Sequence, residues 1–390
     1  MDILGIVLIF LCIASMIYQI LAAYCTALFF LRCKEKKQRY KNLDTEDGRL
    51  PKVVCFKPLH GKERYSFNNV VSFMYMLYPE YKYKLLLGIA SYKDPAYQKI
   101  ARVLKRAAPY KVIVALGEAE SGSNAKVRNM MNMEKYIPPD TEIIIISDAD
   151  VRVESDYVRA MIEPFLNDPK VGATTAIYRI IKDVELPEVL EATFVGLNFI
   201  PSVLFASHFA PLRYAFGASI AIRVDVLKKI GGFSGLKDYL ADDYILARKV
   251  IEAGYKIKLS DYIVNITPGS NKTKDAIFHL LRWMRTIKVC NPVGYFFSLI
   301  CYPTLWGLIS CLYFGYTSFG VYLFGLCGVI RMVCSALYLA WTQNEIFKAV
   351  AAPVWDWITT GMWIWSFFGN KVKWGNKEYK VLSDGRFYEV

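Results

Sequence analysis

The pattern of apolar and polar positions predicts an alternation of strands and helices through the middle of the chain. The apolar runs between residues 51 and 261 are short and continuous. Continuous runs of this length are typical of strands that are buried on both faces of a parallel sheet. Their alternation with helical patterns indicates an α/β fold with a largely parallel, doubly wound sheet. The strands are predicted at residues 52–56, 83–90, 111–117, 142–147 and 171–178, and a helix is predicted at residues 95–107.

Longer apolar runs lie on both sides of this region. Residues 3–31 form a run of about 29 residues, which at 1.5 Å per residue is enough to cross a hydrocarbon core of roughly 30 Å. Residues 293–341 span about 49 residues, enough for two crossings with a break near residues 315–318. Arg331 in this run is costly in lipid, so it should face protein or a headgroup. Residues 349–369 are rich in tryptophan, which predicts an interfacial or re-entrant helix.

Basic residues after the first apolar run predict its orientation. A secretory signal is the alternative for this run, but signals begin with basic residues, whereas here only Asp2 precedes the apolar residues. By the positive-inside rule, the N-terminus should lie outside and the following domain should face the cytoplasm. The basic tail at residues 370–380 should share that side, so residues 349–369 are not expected to cross. The basic residues after the first run are Arg32, Lys34, Lys36, Lys37, Arg39 and Lys41.

Composition indicates a mixed architecture, with membrane segments beside a polar domain, and gives little support to nucleic-acid binding. The 390 residues are 54% hydrophobic and 21% charged, which is too apolar for an ordinary soluble enzyme and too charged for a purely membrane-embedded chain. The net charge of +13 comes without a nucleic-acid-binding motif, and anionic lipid headgroups are therefore the expected partner. The nine cysteines form no C-x-x-C pair, which favours buried, reduced thiols over disulfides or a zinc site.

Candidate chemistry lies where the predicted strands end. The segment "IIIISDADVRV" (143–153) ends a buried strand with Asp148 and Asp150. Carboxylates in this position either accept backbone N–H bonds in a turn or bind a divalent cation such as Mg²⁺. Open α/β sheets bind ligands beyond the carboxyl ends of their strands, so the polar residues there favour a nucleotide-sugar pocket. The other residues at predicted strand ends are Lys57, Ser91, Asp94 and Lys126, the last in a Gly/Ser/Asn-rich loop suited to a diphosphate.

Two downstream segments add to this picture. Residues 214–233 contain small residues where the chain can pass close to a ligand. Asp242 and Asp243 begin a predicted helix, where acidic residues serve either as caps or in catalysis. Residues 190–214 form an apolar stretch inside the polar domain. That stretch is interpreted either as amphipathic structure that leads a lipid to the site or as core.

Taken together, these motifs resemble those of one enzyme family. The segments "KPLHG", "NAKVRN", "SDADVRV", "GASIAIR", "LADDY" and "HLLRW" occur in the order typical of the ceramide glucosyltransferase family of membrane-bound, inverting GT-A glycosyltransferases. The chain is most similar to the bacterial hopanoid-biosynthesis glycosyltransferases, from about residue 50 onward. The implied organisation is an N-terminal transmembrane helix (1–31), a basic linker (32–50), a cytoplasmic, Rossmann-like GT-A domain (51–290), two transmembrane helices (291–341), and an interfacial or re-entrant helix with a basic tail (342–390).

The resemblance implies roles for individual residues. Asp148 and Asp150 would bind a divalent metal, Mg²⁺ or Mn²⁺, and with it the diphosphate of a UDP-sugar, and Asp243 would be the catalytic base. The implied substrate-binding residues are Lys57, Ser91, Asp94, Lys126, Asp148, Asp242, His279, Arg282 and Trp283. Trp283 is alternatively an interfacial anchor beside a membrane span.

Two positions depart from the family pattern. His279 stands where many members have Gln or Arg, although His is similar to the hopanoid branch. Ser91 stands where the family has its first aspartate, which contacts the uridine, and Asp94 comes three residues later.

The expected activity is therefore transfer of a hexose, glucose or N-acetylglucosamine, from a UDP-sugar to a hydroxyl of a membrane lipid, by inverting single displacement. The acceptor implied is a hopanoid polyol or ceramide. A processive polysaccharide synthase is an alternative that shares the final Arg-Trp motif, but such enzymes have more membrane crossings. A non-catalytic lipid- or nucleotide-binding relative is a second alternative, which Ser91 favours and the retained aspartates disfavour.

Overall fold

The structure is a computed structural model with two compact units. It describes residues 2–41, 49–61, 65–106, 111–181, 185–267, 269, 272–342, 346–375 and 377–390. Unit 1 comprises Met1–Leu31, Val184–Ala210 and Asn271–Asp384, and unit 2 comprises Arg32–Asp183, Pro211–Ser270 and Gly385–Val390. Parts of the predicted segments, at residues 42–48, 107, 343–345 and 376, lie outside the described residues.

The described residues form eleven strands and fourteen α-helices. The strands are β1 (Val53–Leu59), β2 (Tyr83–Ile89), β3 (Val112–Leu116), β4 (Ile143–Ser147), β5 (Val151–Arg152), β6 (Val171–Ile180), β7 (Ser219–Arg223), β8 (Lys256–Ile266), β9 (Lys371–Trp374), β10 (Lys377–Val381) and β11 (Phe387–Glu389). The helices are α1 (Ile3–Lys41), α2 (Ser66–Ser72), α3 (Pro95–Arg106), α4 (Ala125–Met133), α5 (Tyr157–Asn167), α6 (Leu186–Phe194), α7 (Ile200–Phe209), α8 (Val224–Lys229), α9 (Asp242–Glu252), α10 (Thr273–Cys290), α11 (Pro292–Phe297), α12 (Pro303–Tyr313), α13 (Ser318–Thr342) and α14 (Ala352–Ser366).

Unit 2 is built on an eight-stranded sheet with the order β3-β2-β1-β4-β7-β6-β8-β5. Alternate residues of β1 belong to two different apolar clusters, Val53 and Cys55 to one and Val54 and Phe56 to the other. Helices α3 and α5 contribute to the first cluster, and α4 and α9 to the second, so both faces of the sheet are covered. The predicted α/β fold class is confirmed, and the predicted strands and helix coincide with β1, β2, β3, β4, β6 and α3 within a few residues.

The sheet is more mixed than the sequence pattern predicts. Strands β1 to β4 pair in parallel, as expected, but β7 pairs antiparallel with both β4 and β6. Strand β7 is short and runs directly into helix α8, so its apolar residues are also compatible with the start of a helix. The register pairs Ile143 with Arg223 and Ser147 with Ser219, which brings the loop before β7 to the carboxyl end of β4.

Unit 1 contains the long apolar helices. Three of its described helical segments are long and apolar enough to cross a membrane: Ile3–Tyr40, which extends into unit 2, Leu186–Phe209 and Ser318–Thr342. A fourth is possible if Pro292–Cys301 and Pro303–Tyr313, which meet at 68°, form one broken span. The Leu186–Phe209 segment joins α6 and α7 through a π-helical turn, and sequence analysis interpreted much of it as amphipathic or core structure rather than as a span. Helix α14 has 15 residues, and whether it crosses the membrane stays a prediction.

A buried polar network joins the helices of unit 1. Arg331 of α13 is 1% exposed, and its Nε donates a hydrogen bond to Asp356 Oδ1 of α14 at 2.9 Å. Thr304 Oγ1 of α12 donates to Asp356 Oδ2 at 2.9 Å, and Arg331 Nη1 donates to Gln19 Oε1 of α1 at 3.1 Å. Arg331 therefore faces protein, as its cost in lipid requires. The network joins α1, α12, α13 and α14. Removing Arg331 or Asp356 would leave the other charge buried and unpaired, so the pair favours this arrangement of the four helices.

Candidate active site

Lys126 lies close to carboxylates from two other segments, beyond the carboxyl ends of the parallel strands. It lies in the first turn of α4, and its Nζ is 2.6 Å from Asp148 Oδ1 and 3.6 Å from Asp242 Oδ2. The side chains of Lys126 and Asp242 are 16% and 14% exposed, whereas that of Asp148 is 34% exposed. Asp148 follows β4, and Asp242 is the first residue of α9. Three predicted site residues therefore form one ion-pair cluster with a partly open side.

Gly217 holds the fourth member of this cluster. Its backbone N–H donates to Asp243 Oδ2 at 2.7 Å, while Asp243 Oδ1 accepts from the N–H of Tyr244 at 2.8 Å. A Cβ atom on Gly217 would lie 3.3 Å from both Asp243 Oδ2 and Lys126 Nζ, and 3.7 Å from Asp148 Oδ2. A side chain at residue 217 would therefore crowd these groups, and glycine leaves them the space to converge.

Burial gives the acidic residues of this cluster unusual proton affinities. Burial, followed by the charge of Asp242, raises the pKa of Asp243 to about 6, and the neighbouring Lys126 only partly opposes this. Burial also raises the pKa of Asp242, with Lys126 again opposing the shift. Burial lowers the pKa of Lys126, but the carboxylates of Asp148 and Asp242, followed by Asp243, together raise it above its ordinary value. A carboxylate with a pKa near 6 is a better proton acceptor than an ordinary aspartate and still ionised at neutral pH.

Asp150 lies in the same loop as Asp148 but has a different environment. Its Oδ1 atom is buried and accepts no hydrogen bond from the residues that the structure describes. Burial, followed by the charge of Asp148, raises the pKa of Asp150 to about 7. Thr267 fixes the loop, because its N–H and Oγ1 donate to the Asp150 carbonyl at 3.0 and 2.9 Å. This environment fits a divalent cation, which would occupy the free carboxylate oxygen and offset the repulsion between Asp148 and Asp150.

A cation here would need more oxygen ligands than the protein provides. The described residues contain no group of three or more His, Cys, Asp or Glu side chains with the geometry of a metal site. Mg²⁺ commonly takes one or two carboxylates and completes its coordination with water and phosphate oxygens. The pair Asp148 and Asp150 therefore suits a cation that is bound together with a phosphate-bearing ligand.

Lys57 supports this loop from below. It is fully buried, and its Nζ donates to the carbonyls of Asp148 at 2.7 Å and Val151 at 3.0 Å. The ammonium group also lies 4.2 Å from the centre of the Phe73 ring. In this structure Lys57 thus fixes the backbone that carries the two aspartates, and the substrate contact predicted from sequence stays a prediction.

Ser91 and Asp94 lie in the loop between β2 and α3. Asp94 is 8% exposed, and its Oδ1 accepts from the N–H groups of Gly61 at 2.9 Å and Ala96 at 2.8 Å. Ser91 is exposed, and its Oγ accepts a 3.3 Å hydrogen bond from the Lys93 N–H. Asp94 therefore tethers the loop after β1 to the start of α3. Its carboxylate is engaged with backbone, and the direct nucleotide contact of these two residues stays a prediction.

His279, Arg282 and Trp283 belong to α10 in unit 1. His279 Nδ1 lies 2.9 Å from Glu191 Oε1 of α6, and the His279 ring centre is 4.4 Å from that of Trp283. Trp283 also packs against the apolar cluster of unit 1, and the Arg282 guanidinium lies 5.5 Å from the Trp374 ring centre. The structure thus groups the three predicted residues on one helix, in the unit that does not contain the aspartate cluster.

Sequence analysis missed three residues that shape these groups. The sequence pattern marks Gly217 only as a small residue, does not distinguish Glu191, and places Asn124 in a loop. Asn124 is fully buried, caps α4 by accepting from the Val127 N–H at 3.2 Å, and donates to Asp242 Oδ1 at 3.4 Å. Its position directly before an apolar helical pattern is the signal that could have identified it as a cap.

Comparison with known proteins gives consistent sequence matches. The sequence model of the family described as "Glycosyl transferase family 21" matches residues 7–387. "Ceramide glucosyltransferase 3" of Caenorhabditis elegans is 27% identical over 252 residues, which cover 64% of this chain and 53% of the relative. "Ceramide glucosyltransferase 1" of the same organism is 23% identical over 239 residues, 61% and 50% of the two chains. The matches thus span about half the length of these curated relatives.

The matches among solved structures have lower sequence identity. The mannosyltransferase PcManGT from Pyrobaculum calidifontis, in complex with GDP-Man and Mn²⁺, has a TM-score of 0.48 and 16% identity. The overlap covers 91% of this chain and 97% of that one. S. aureus TarS 1–349 in complex with UDP-GlcNAc has a TM-score of 0.38 and 11% identity, with 87% and 99% coverage.

The Lys126 cluster makes a prediction about stability. Replacing Lys126 with Met should lower the unfolding midpoint more at pH 8 than at pH 5, because burial raises the pKa of Asp243 to about 6 and so leaves its charge in place only at the higher pH. A carboxylate whose pKa is raised by folding opposes folding increasingly as pH rises through the folded pKa, and Lys126 offsets that effect. Thermal unfolding in EDTA at the two pH values measures the difference.

Lys126→Arg is the matched control, since it keeps the positive charge and should show a much smaller pH dependence. Equal losses for Lys126→Met at both pH values would mean that its side chain contributes packing rather than charge.

Proposed function

Because the chain belongs to glycosyl transferase family 21, we propose that it transfers a sugar from a nucleoside diphosphate sugar to a hydroxyl group of a membrane lipid. The membership agrees with the family resemblance that the sequence motifs predict. The donor is proposed to be a UDP-hexose, with glucose or N-acetylglucosamine as the sugar. The acceptor is proposed to be a hopanoid polyol or ceramide. Two curated relatives named ceramide glucosyltransferases support ceramide, and the motif resemblance supports the hopanoid.

The observation that carries this proposal is the cluster of Lys126, Asp148, Asp242 and Asp243 at the carboxyl end of the sheet. Ligands of open α/β sheets bind at this edge. The cluster combines a fixed cation for a leaving diphosphate with a carboxylate of raised pKa for a proton. Asp148 remains a third exposed, so a ligand has access to it.

Asp243 is proposed to be the general base. The oxygen of the acceptor hydroxyl attacks the anomeric carbon, its proton passes to an Asp243 oxygen, and the bond between the anomeric carbon and the diphosphate oxygen breaks. One displacement of this kind inverts the anomeric centre, and UDP leaves with the bonding electrons. Each Asp243 oxygen accepts one backbone hydrogen bond, which fixes the carboxylate and leaves further lone pairs to receive the proton. General base catalysis contributes about 10²- to 10⁴-fold to such a reaction.

Lys126 and a divalent cation are proposed to neutralise the leaving diphosphate. Asp148 and Asp150 would hold Mg²⁺ or Mn²⁺, which when bound withdraws charge from the diphosphate oxygens. Lys126 supplies a second positive charge at a fixed position, because Asp148 and Asp242 hold its ammonium group. Positive groups placed in advance stabilise a developing charge more than mobile ones do.

The apolar helices of unit 1 support a lipid acceptor. A lipid with a polar headgroup stays in the bilayer while its hydroxyl reacts, and membrane segments would hold the enzyme beside it. At least three described helical segments qualify as spans by length and composition. The Leu186–Phe209 segment, interpreted from sequence as part of a lipid path, carries Glu191, the partner of His279.

The activity is tested by incubating the purified protein with a panel of UDP-sugars and membrane lipids and identifying the glycolipid by mass spectrometry. Native protein should form one glycolipid, whereas Asp243→Asn should reduce its formation by at least about 10²-fold while UDP-sugar binding survives. Asn keeps the size of Asp and one acceptor for the Gly217 N–H, but it accepts no proton.

Asp242→Asn is the matched control at the adjacent position. Within the described part of the chain no side chain caps α9, and Asp242 Oδ2 lies 3.6 Å from Lys126 Nζ. Its loss should therefore reduce activity by less than about tenfold, because Asp148 still pairs with Lys126 at 2.6 Å. If Asp242 were essential and Asp243 dispensable, the base would be the neighbouring residue.

Metal dependence is tested separately. Chelation with EDTA should abolish transfer by the native protein, and Mg²⁺ or Mn²⁺ should restore it. Asp150→Ala should remain inactive at every metal concentration, because it lacks the buried oxygen that would face the cation. Asp94→Asn serves as the control, since Asp94 is proposed to bind no metal, and it should respond to added metal as the native protein does. Undiminished turnover in EDTA would rule out the metal.

The catalytic domain is proposed to face the cytoplasm. The basic end of α1 is tied to it, since Lys36 Nζ lies 2.9 Å and Arg32 Nε 3.1 Å from carboxylate oxygens of Asp261 in β8. In a background without the native cysteines, single cysteines at positions 34 and 377 should react with an impermeant maleimide only after the cells are opened. A cysteine at position 2 should react in intact cells. Labelling of position 377 in intact cells would mean that residues 349–369 cross the membrane.

A further inference from the structure

Unit 1 contains a carboxylate–imidazole pair that the proposed chemistry leaves unused. Glu191 Oε1 lies 2.9 Å from His279 Nδ1, and the Glu191 side chain is 3% exposed whereas that of His279 is 31% exposed. Glu191 lies on α6 and His279 on α10, so the pair joins two helices of the same unit. One end of the pair is thus fixed in the interior and the other end is accessible.

This pair determines which imidazole nitrogen is free. A carboxylate accepts hydrogen bonds but donates none, so Nδ1 of His279 carries the proton and donates to Glu191. Burial lowers the pKa of His279, Glu191 opposes that effect, and the positive charge of Arg282 reinforces it. The neutral ring that results presents Nε2 with a lone pair, which accepts a hydrogen bond from a hydroxyl group.

The surroundings of the imidazole favour a lipid hydroxyl. The Trp283 ring centre is 4.4 Å from that of His279, and Trp283 is in turn 6.0 Å from Phe194. Trp283 packs against the apolar cluster formed by the membrane-type helices of unit 1. His279 Nε2 can accept a hydrogen bond from a hydroxyl group, while the adjacent Trp283 ring can pack against hydrocarbon. A lipid whose hydroxyl lies next to its hydrocarbon part offers both groups.

We propose that Glu191 and His279 form a hydroxyl-binding subsite, in which Glu191 is a positioning residue and His279 Nε2 accepts a hydrogen bond from a hydroxyl of the lipid acceptor. This inference rests on the proposed function for the nature of its ligand. It assigns His279 to the acceptor rather than to the nucleotide, and it gives the buried carboxylate of α6 a role. No covalent step takes place at this subsite.

The pair itself is tested without any activity measurement. The chain has only three histidines, so the ¹³C-labelled imidazoles can be titrated by NMR in detergent, with His279→Gln used to assign the signal. Glu191→Gln should lower the pKa of His279 by about one pH unit or more, because it removes the opposing carboxylate and leaves burial and Arg282. Glu188→Gln is the control, since Glu188 is equally buried on α6 but bonds the Glu185 N–H, and it should leave His279 unchanged.

The hydroxyl contact is tested by separating the two substrates. Glu191→Gln and His279→Leu should each raise the KM for the lipid acceptor about tenfold, with the KM for the UDP-sugar nearly unchanged. His279→Gln should stay within about threefold of the native KM, because its amide donates to Glu191 through one end and accepts through the other. Recovery by Gln but not by Leu distinguishes hydrogen bonding from packing.

The possible failures are distinguishable. An unchanged His279 pKa in Glu191→Gln would contradict the hydrogen bond between Glu191 and His279. A lowered pKa with an unchanged acceptor KM, or a rise in the UDP-sugar KM instead, would overturn the hydroxyl contact. If the native protein transferred no sugar, the proposed function would be wrong, and so would the lipid as the ligand of this subsite. The NMR titration would still show whether Glu191 and His279 are hydrogen-bonded.

Discussion

The ammonium group of Lys126 is the constraint on which the candidate site depends. It lies between Asp148 and Asp242, and Gly217 lies beside both Lys126 and Asp243. These acidic residues come from two distant parts of the chain. Carboxylates that are brought this close in a half-buried place repel one another, and a fixed cation offsets part of that repulsion. Because Lys126 does not fully offset burial and the charge of Asp242, the pKa of Asp243 stays raised, at about 6. The proposed role of Asp243 as a general base uses this raised proton affinity.

The topology of the sheet is what makes this convergence possible. Strand β4 ends at Asp148, and antiparallel β7 begins beside it, so the loop before β7 places Gly217 over the cluster. Glycine leaves space there, since a Cβ atom at residue 217 would make a tight 3.3 Å contact with Lys126 Nζ. Lys57 supports the same loop through two backbone carbonyls. Fold and site are therefore linked by backbone positions as much as by the acidic side chains.

Local patterns in the sequence predict much of this arrangement, and contacts between distant segments account for the rest. The continuous apolar run before Asp148 predicts β4 because a strand covered on both faces needs no alternation. The order of the motifs predicts the family. Strand β7 escapes prediction because five residues that lead directly into a helix carry no periodicity of their own. The partners Glu191–His279 and Arg331–Asp356 escape because nothing in their local sequence specifies a partner 88 or 25 residues away.

A structure of the protein with UDP and Mn²⁺ would test the central claim most directly, because anomalous scattering locates manganese without assumptions about its ligands. The account predicts one manganese ion bound by Asp150, with Asp148 and the diphosphate oxygens as further ligands and Lys126 beside the diphosphate. A diphosphate bound away from Lys126, or manganese with no contact to either aspartate, would contradict it.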